Sequence, residues 1–356
     1  MKKAHIHLNH KTILVTGSPG FIGANLVLRL LKEMNSGTII SFDSMNDYYD
    51  LNLKEYRLGL IEKAAENSPA HHIFIKGNLA DKALIHKIFA DHRPAIVVNL
   101  AAQAGVRYSV EHPDAYIESN IIGFYNILEA CRYNPVEHLV YASSSSVYGE
   151  NKKFLSVSKT RQIARFPCTQ PQKKSNELLA HCYSKLYNIP STGLRFFTVY
   201  GPAGRPDMFY FSATRNLLEG KTIQLFNYGN CKRDFTYIDD IVEGLLRVIQ
   251  GAPQKHTGED GLPLAPYAVY NIGCGSPEAL PDYVRTLQEE LVRAKVLPSD
   301  FNFKSRTELT GMQPGDVPIT YADSKALEDD YGYKPTTTIR EGLRKFAEWY
   351  KDYYLR

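Results

Sequence analysis

Apolar and polar positions change period several times along the chain, and each change predicts an element. "KTILVTGSPGFIGANLVLRLL" begins as a short β-branched strand over Thr12–Thr16 and breaks at glycines. It resumes with apolar residues at Phe21, Ile22, Leu26, Leu28 and Leu31, the spacing of a helix. "GTIISFD" reads as a second strand ending at Asp43. Strand-like runs recur in "HHIFIKGN", "AIVVNLAA" and "EHLVYASSSS", with helical stretches near 81–90 and 113–133 between them. That alternation predicts an α/β fold built on a doubly wound parallel sheet. Past Arg195 short strands and helices mix, which predicts a smaller α+β lobe. The expected division is 11–195 and 196–356, with some later elements returning to the first domain.

The turn between the first strand and helix carries chemistry. Gly17, Gly20 and Gly23 form G-x-x-G-x-x-G. Glycines there allow a tight turn and let backbone N–H groups approach a pyrophosphate at the positive end of the helix. Asp43 follows 20 residues after Gly23. An acidic side chain at that place accepts hydrogen bonds from an adenosine ribose and repels a 2′-phosphate, so NAD is expected rather than NADP. The first domain is therefore read as Rossmann-type. Its ligands belong at the carboxyl ends of the strands, where Asn78, Asn99 and Ser143–Ser146 fall.

Composition narrows the field. No stretch approaches the ~20 apolar residues of a membrane span. The opening "MKKAHIHLNH" has lysines but no apolar core, so no secretory leader is read there. Five cysteines, odd in number and without metal-ligand spacing, predict reduced thiols, a cytoplasmic setting and no metal site. A net charge of +4 is too small and too dispersed to predict nucleic-acid binding.

The glycine turn, "NLAAQAGVRYS", "YASSSSVYG", "LRFFTVYGPAGRPDM", "RDFTYIDD" and "QPGDVP" together resemble the extended short-chain dehydrogenase/reductase superfamily. Within it the chain is most similar to the nucleotide-sugar epimerases, and among these to UDP-glucuronate 4-epimerases. The resemblance runs from about Lys11 to about Lys351. It implies NAD-dependent 4-epimerisation of a UDP-sugar, through a 4-keto sugar that turns over and is reduced on its other face. It places Gly17, Gly20, Phe21, Ile22, Gly23, Asp43, Asn78, Leu79, Asn99, Ala101 and Lys173 against the cofactor. Asn78 stands where an aspartate usually meets the adenine. Ser144 and Lys173 take catalytic roles, with Ser145 and Ser146 facing the sugar.

In the second lobe the resemblance gives Arg233 a diphosphate role, since a guanidinium makes bidentate contacts. Arg205 either reaches the diphosphate or helps close the pocket. Asp316 either meets the uridine ribose or orders its loop. Arg107 lies either near the sugar phosphate or in a structural ion pair. Thr198 replaces an asparagine common in related epimerases, and with Ser145 and Ser146 suggests a polar pocket for a C6 carboxylate. Helices in "FYNILEACRYN" and from Lys173 to about Tyr187 imply a homodimer, or serve as internal core. A dehydratase is disfavoured because the serine run lacks an adjacent Asp–Glu pair.

One stretch departs from all of this. The resemblance requires a tyrosine four residues before Lys173, on the same helix face, whose pKa a lysine lowers so that it acts as the base. That position is Thr169. Residues 154–172, "FLSVSKTRQIARFPCTQPQ", depart completely while both flanks match. Back-translated in the frame that joins the third base of each codon to the first two of the next, they can encode "IPFSVEDKADSPVSLYAAT". That puts a tyrosine at 169. The stretch is read as a compensated double frameshift, slipping at Lys152–Lys153 and recovering at Lys173–Lys174. Restoring the frame removes Lys159, Arg161 and Arg165 and adds one Lys, two Asp and one Glu, so the basic balance carries no functional meaning. As written, the chain is alternatively a catalytically silent NAD or nucleotide-sugar binding protein.

The nucleotide sequence across codons 150–176 tests the frameshift. Its third bases are expected to spell the alternative peptide, and third bases that cannot do so end the idea.

Overall fold

The computed structural model describes residues 2–105, 108–149, 169–258, 260–312 and 317–355, with the backbone alone for Val110, Thr169 and Gln170. Seven strands form the main sheet: β1 (Thr12–Thr16), β2 (Thr38–Asp43), β3 (His71–Lys76), β4 (Ile96–Asn99), β5 (His138–Ser144), β6 (Ser191–Phe196) and, from the later half of the chain, β7 (Tyr267–Ile272). Their order is β7-β6-β5-β4-β1-β2-β3, and every pairing is parallel. This is the doubly wound arrangement, with its reversal of direction between β1 and β4.

Both faces of the sheet are buried, which is why the strands read as apolar runs rather than clean alternation. Ile13, Val15, Val98 and Val140 enter one core with helices α1 (Phe21–Glu33) and α7 (Ile238–Ile249). Leu14, Ile40, Val97 and Leu139 enter the other, with α3 (Lys82–His92), α4 (Gly123–Tyr133) and α5 (Thr169–Tyr187). Helix α2 (Leu51–Ala65) follows β2, and Asp50 caps it by accepting from Asn52 N. Asp81 caps α3 in the same way from Leu84 N.

Two helices depart from their sequence reading. The stretch 113–133 is helical throughout, but Ile117–Ile122 form a π turn ahead of α4. Helix α5 reaches Tyr187 as expected yet starts at Thr169, before Lys173. Pro171 sits in its first turn, where an N–H has no intrahelical partner to lose.

The later half adds a three-stranded sheet in which Thr198–Tyr200 runs parallel to Lys232–Tyr237 and Pro277–Ala279 pairs antiparallel on its other side. Helices α6 (Phe209–Leu218), α8 (Leu280–Arg293) and α10 (Ile339–Tyr354), with the short α9 (Lys325–Tyr331) between the last two, complete it. These elements share the α1-side core, because Tyr210, Tyr283 and Phe346 belong to one cluster with Ile13 and Val15. Among the described residues no helix is long and apolar enough to cross a membrane, and no three His, Cys, Asp or Glu side chains are placed to hold a metal.

His138 opens β5 fully buried, its Nε2 2.9 Å from Thr192 Oγ1 and its Nδ1 3.2 Å from the Ile249 carbonyl. Burial pushes its pKa from 6.5 down to about 4, against a smaller upward pull from that carbonyl. The fold therefore favours neutral imidazole. Its contribution is complete above the unfolded value of 6.5 and is lost as pH falls toward 4. Denaturant titrations at pH 6.5 and 4.5 should show about 2 kcal/mol of this loss, and the His138→Asn variant should show a correspondingly flatter pH dependence.

Candidate active site

A cleft of about 660 Å³ opens along the carboxyl ends of the strands and reaches the later half of the chain. At its first end lies the glycine turn. Gly17 has φ +72°, and a Cβ there would fall 2.7 Å from Ala101 N. A Cβ on Gly23 would meet the Gly17 carbonyl at 2.2 Å. Gly20 precedes α1, and no side chain caps that helix and no acidic residue occupies its first turn. The free N–H groups and the positive end of the dipole suit an anion. Thr16 Oγ1 donates to Asn99 Oδ1 at 2.7 Å and accepts from Ala101 N, which locks β1 to β4 beside this turn.

Asp43 ends β2 on the cleft wall and accepts from Met45 N. The buried Lys54 ammonium lies 3.7 Å away and also donates to Asn46. Burial lowers the pKa of Lys54, while Asp43 acts in the opposite direction. The exposed Asn78 gives its amide N–H to Glu118 and takes Ala80 N on its oxygen. Leu79 beside it is buried and lines the cleft.

In the middle of the cleft β5 ends at Ser144, whose Oγ accepts from Ser146 N as the chain enters a 3₁₀ turn. Ser145 and Ser146 line the wall, and Ser146 Oγ is buried with no partner among the described residues. Gln103 Nε2 is another such atom in the cleft wall. Buried polar groups are normally paired, so these two mark places where a ligand's polar atoms fit. Lys173 reaches the same wall from α5 and donates to the Ala142 carbonyl at 2.9 Å. Burial alone brings its pKa down to about 8.

At the far end stand Thr198, Arg205 and Arg233. Arg205 Nε donates to Asp207 Oδ1 at 3.0 Å, and Tyr48 from the other side of the cleft donates to Asp207 Oδ2 at 3.3 Å. Arg233 donates to the Lys232 and Pro318 carbonyls. Of the residues expected at the site, Arg107 and Asp316 lie outside the described residues, as does the Thr169 side chain. All the others except Asn99 line the cleft, and Asn99 is held just behind it by Thr16.

Sequence reasoning missed several side chains. Gln103 lies inside the quoted "NLAAQAGVRYS", where the expected site residues are Asn99, Ala101 and Arg107. Asn120, in the π turn, accepts from Gln103 N and donates to Gln103 O and Gln172 Oε1. Tyr48, Lys54 and Asp207 gave no local signal. Neither did the buried network behind the serines. Glu177 on α5 accepts from Ser143 Oγ at 2.7 Å and is gripped through both oxygens by Arg195, each at 2.7 Å. Arg195 also donates to Tyr148 OH, which donates to Asn271 Oδ1. Burial raises the pKa of Glu177, but the bonds and charge of Arg195 outweigh it and hold the carboxyl below its ordinary value.

The cleft contains no ready base beside Lys173 among the described side chains. Tyr48 and Tyr49 are its lining tyrosines. Burial and the Asp207 carboxylate push Tyr48 up to about 12, the wrong direction for proton abstraction.

Known proteins match along nearly the whole chain. The model of the NAD dependent epimerase/dehydratase family matches residues 13–273. Protein CapI of Staphylococcus aureus is 47% identical, covering 96% of this chain and 99% of CapI. UDP-glucuronate 4-epimerase 4 of Arabidopsis thaliana is 44% identical, covering 97% of this chain and 76% of that protein. The crystal structure of UDP-glucuronic acid 4-epimerase from Bacillus cereus, in complex with UDP-glucuronic acid and NAD, superposes with a TM-score of 0.79. It is 29% identical and covers 96% of this chain and all of its own.

Removing the carboxylate behind the serines leaves a buried guanidinium unpaired. Glu177→Ala should cost about 3–5 kcal/mol in denaturant unfolding. Glu177→Gln, which keeps hydrogen-bond acceptors for Arg195, should cost visibly less.

Proposed function

The chain belongs to the NAD dependent epimerase/dehydratase family, and we propose that its cleft serves the 4-epimerisation of a UDP-sugar, UDP-glucuronate or UDP-galacturonate. One observation carries the proposal. A single cleft joins the glycine turn, the serine run with Lys173, and the Arg205/Arg233 end, so cofactor, sugar and diphosphate each have a matching surface.

Gly17–Gly23 would hold the pyrophosphate of NAD against the α1 N-terminus, and Asp43 would take the adenosine ribose. Lys54 beside Asp43 tempers the carboxylate's repulsion of a 2′-phosphate without removing the acceptor. Bound NAD would supply the acceptor and donor for hydride exchanged at the sugar C4. The chain's own residues bind and orient. Ser144 offers a hydroxyl to the sugar oxygen, and Ser145, Ser146 and Thr198 supply neutral donors suited to a C6 carboxylate. Arg233 and Arg205 supply positive charge for the diphosphate, and Asp207 keeps Arg205 oriented beforehand. Lys173 carries the cation that would depress a neighbouring phenol, if one stood at position 169.

Threonine stands there instead, and an aliphatic hydroxyl does not become a stable alkoxide near neutral pH. This favours a second reading for the chain as written: a protein that holds NAD and a UDP-sugar without turning the sugar over. Its relatives' activity then belongs to the frame-restored sequence.

Two further expectations rest on the same reading. Leu178, Leu186 and Tyr187 on α5 and Tyr125 and Tyr133 on α4 present apolar surface to solvent, and a homodimer would cover it. The four described cysteines are free thiols, in keeping with a cytoplasmic protein.

Expressing the literal chain beside a version carrying the restored 154–172 peptide tests the whole proposal. Both should retain NAD, and the literal chain should epimerise at least ~10²-fold more slowly. Ordinary turnover by the literal chain would refute the disabled-catalyst reading. Absence of turnover in both would refute the epimerase reading.

A further inference from the structure

We propose that Arg57 is a positioning residue that couples the two ends of the cleft, so that a ligand on the glycine turn alters the affinity for a diphosphate at the Arg205 end, and the reverse. The inference rests on the reading of the cleft given above and adds the route by which its halves communicate.

Arg57 projects from α2 and is only 1% exposed. Its Nε donates to the Ala203 carbonyl at 2.8 Å and Nη2 to the Gly204 carbonyl at 2.9 Å. Nη1 donates to the Pro19 carbonyl at 3.1 Å and to Tyr49 OH at 2.7 Å. Four of the five N–H groups of a guanidinium are thus used. No carboxylate lies within ion-pair distance of it among the described residues. Burying a cation against neutral acceptors is an expensive way to gain stability. What it secures is geometry, because a planar fork fixes several carbonyls relative to one another.

The carbonyls it fixes belong to two segments that border the cleft, the glycine turn and the loop that carries Arg205. Pro19 lies inside the glycine turn, between Gly17 and Gly20. Gly204 immediately precedes Arg205. Ala203 between them in the clamp holds a left-handed backbone, φ +50°, which a non-glycine residue keeps only when its surroundings impose it. The Arg57 bond to its carbonyl is part of that imposition. A second contact crosses nearby, from Tyr48 to Asp207. The stretch 46–57 therefore grips the loop carrying Arg205 at two points and the cofactor turn at one.

A displacement of either segment is felt at the shared guanidinium. Because such coupling is a difference of binding free energies, it acts equally in both directions.

Calorimetric titration of the full chain with NAD, with UDP, and with each in the presence of the other measures the coupling. In the unmodified chain one ligand should change the affinity for the other by about fivefold or more. Arg57→Lys keeps the charge but reaches fewer acceptors, and its coupling should fall below about twofold while each separate affinity stays within about threefold. Arg57→Met, if it folds, should behave the same way. Arg57→Lys with a lowered melting temperature but unchanged coupling would reduce the residue to a structural one and overturn the proposal. Failure of the unmodified chain to bind either ligand would instead overturn the reading of the cleft on which it rests.

Discussion

The Glu177–Arg195 pair is the interaction on which the middle of the cleft depends. Ser143, Arg195 and Asn271 occupy one row across β5, β6 and β7, each directly opposite the next. Glu177 meets that row from α5, one turn beyond Lys173, and Tyr148 meets it from the turn after the serine run. Three strand ends, a helix and a loop are thereby fixed through one bidentate contact. A carboxylate gripped by a planar guanidinium in a buried setting has little rotational freedom. The position of Lys173 relative to Ser144 follows from it. Lys173 is also tied directly to the strand that ends at Ser144, through the Ala142 carbonyl.

The scaffold was legible in the sequence wherever a periodic signal ran long enough. Strands β1 to β5 and helix α1 follow from apolar spacing, and the glycine turn from residues that no other side chain replaces. The placement of Asp43 and of the serines at strand ends followed from the same logic. What escaped were contacts between distant segments. Arg57 and Ala203 are 146 positions apart, and nothing in a lone arginine on a helix with so little apolar patterning announces a buried clamp. The π turn around Asn120 was likewise invisible, since its composition differs little from an ordinary helix. Tyr48 and Asp207 find each other only because two loops converge on the mouth of the cleft.

The described contacts of α5 stand apart from the unusual stretch. From Lys173 onward α5 keeps its contacts: Lys173 to Ala142, Glu177 to Arg195 and Ser143, Ser184 to the Pro266 carbonyl. None of these draws on 154–168. Even Pro171 falls where a helix tolerates it. The contacts that hold Lys173 and Glu177 in place are therefore made without the unusual stretch.

The seventh strand has a consequence for the chain as it is made. β7 pairs with β6 only after residues 197–266 have been synthesised. Until then the Ser191–Phe196 strand presents an open row of backbone donors and acceptors, and the Arg195 row lacks its last member. An unpaired, largely buried strand is an invitation to intermolecular pairing. A ribosome stalled inside the intervening stretch, or a protease nicking it early, would release a sheet with a sticky border, and the yield of native protein would be set by how quickly that border is closed.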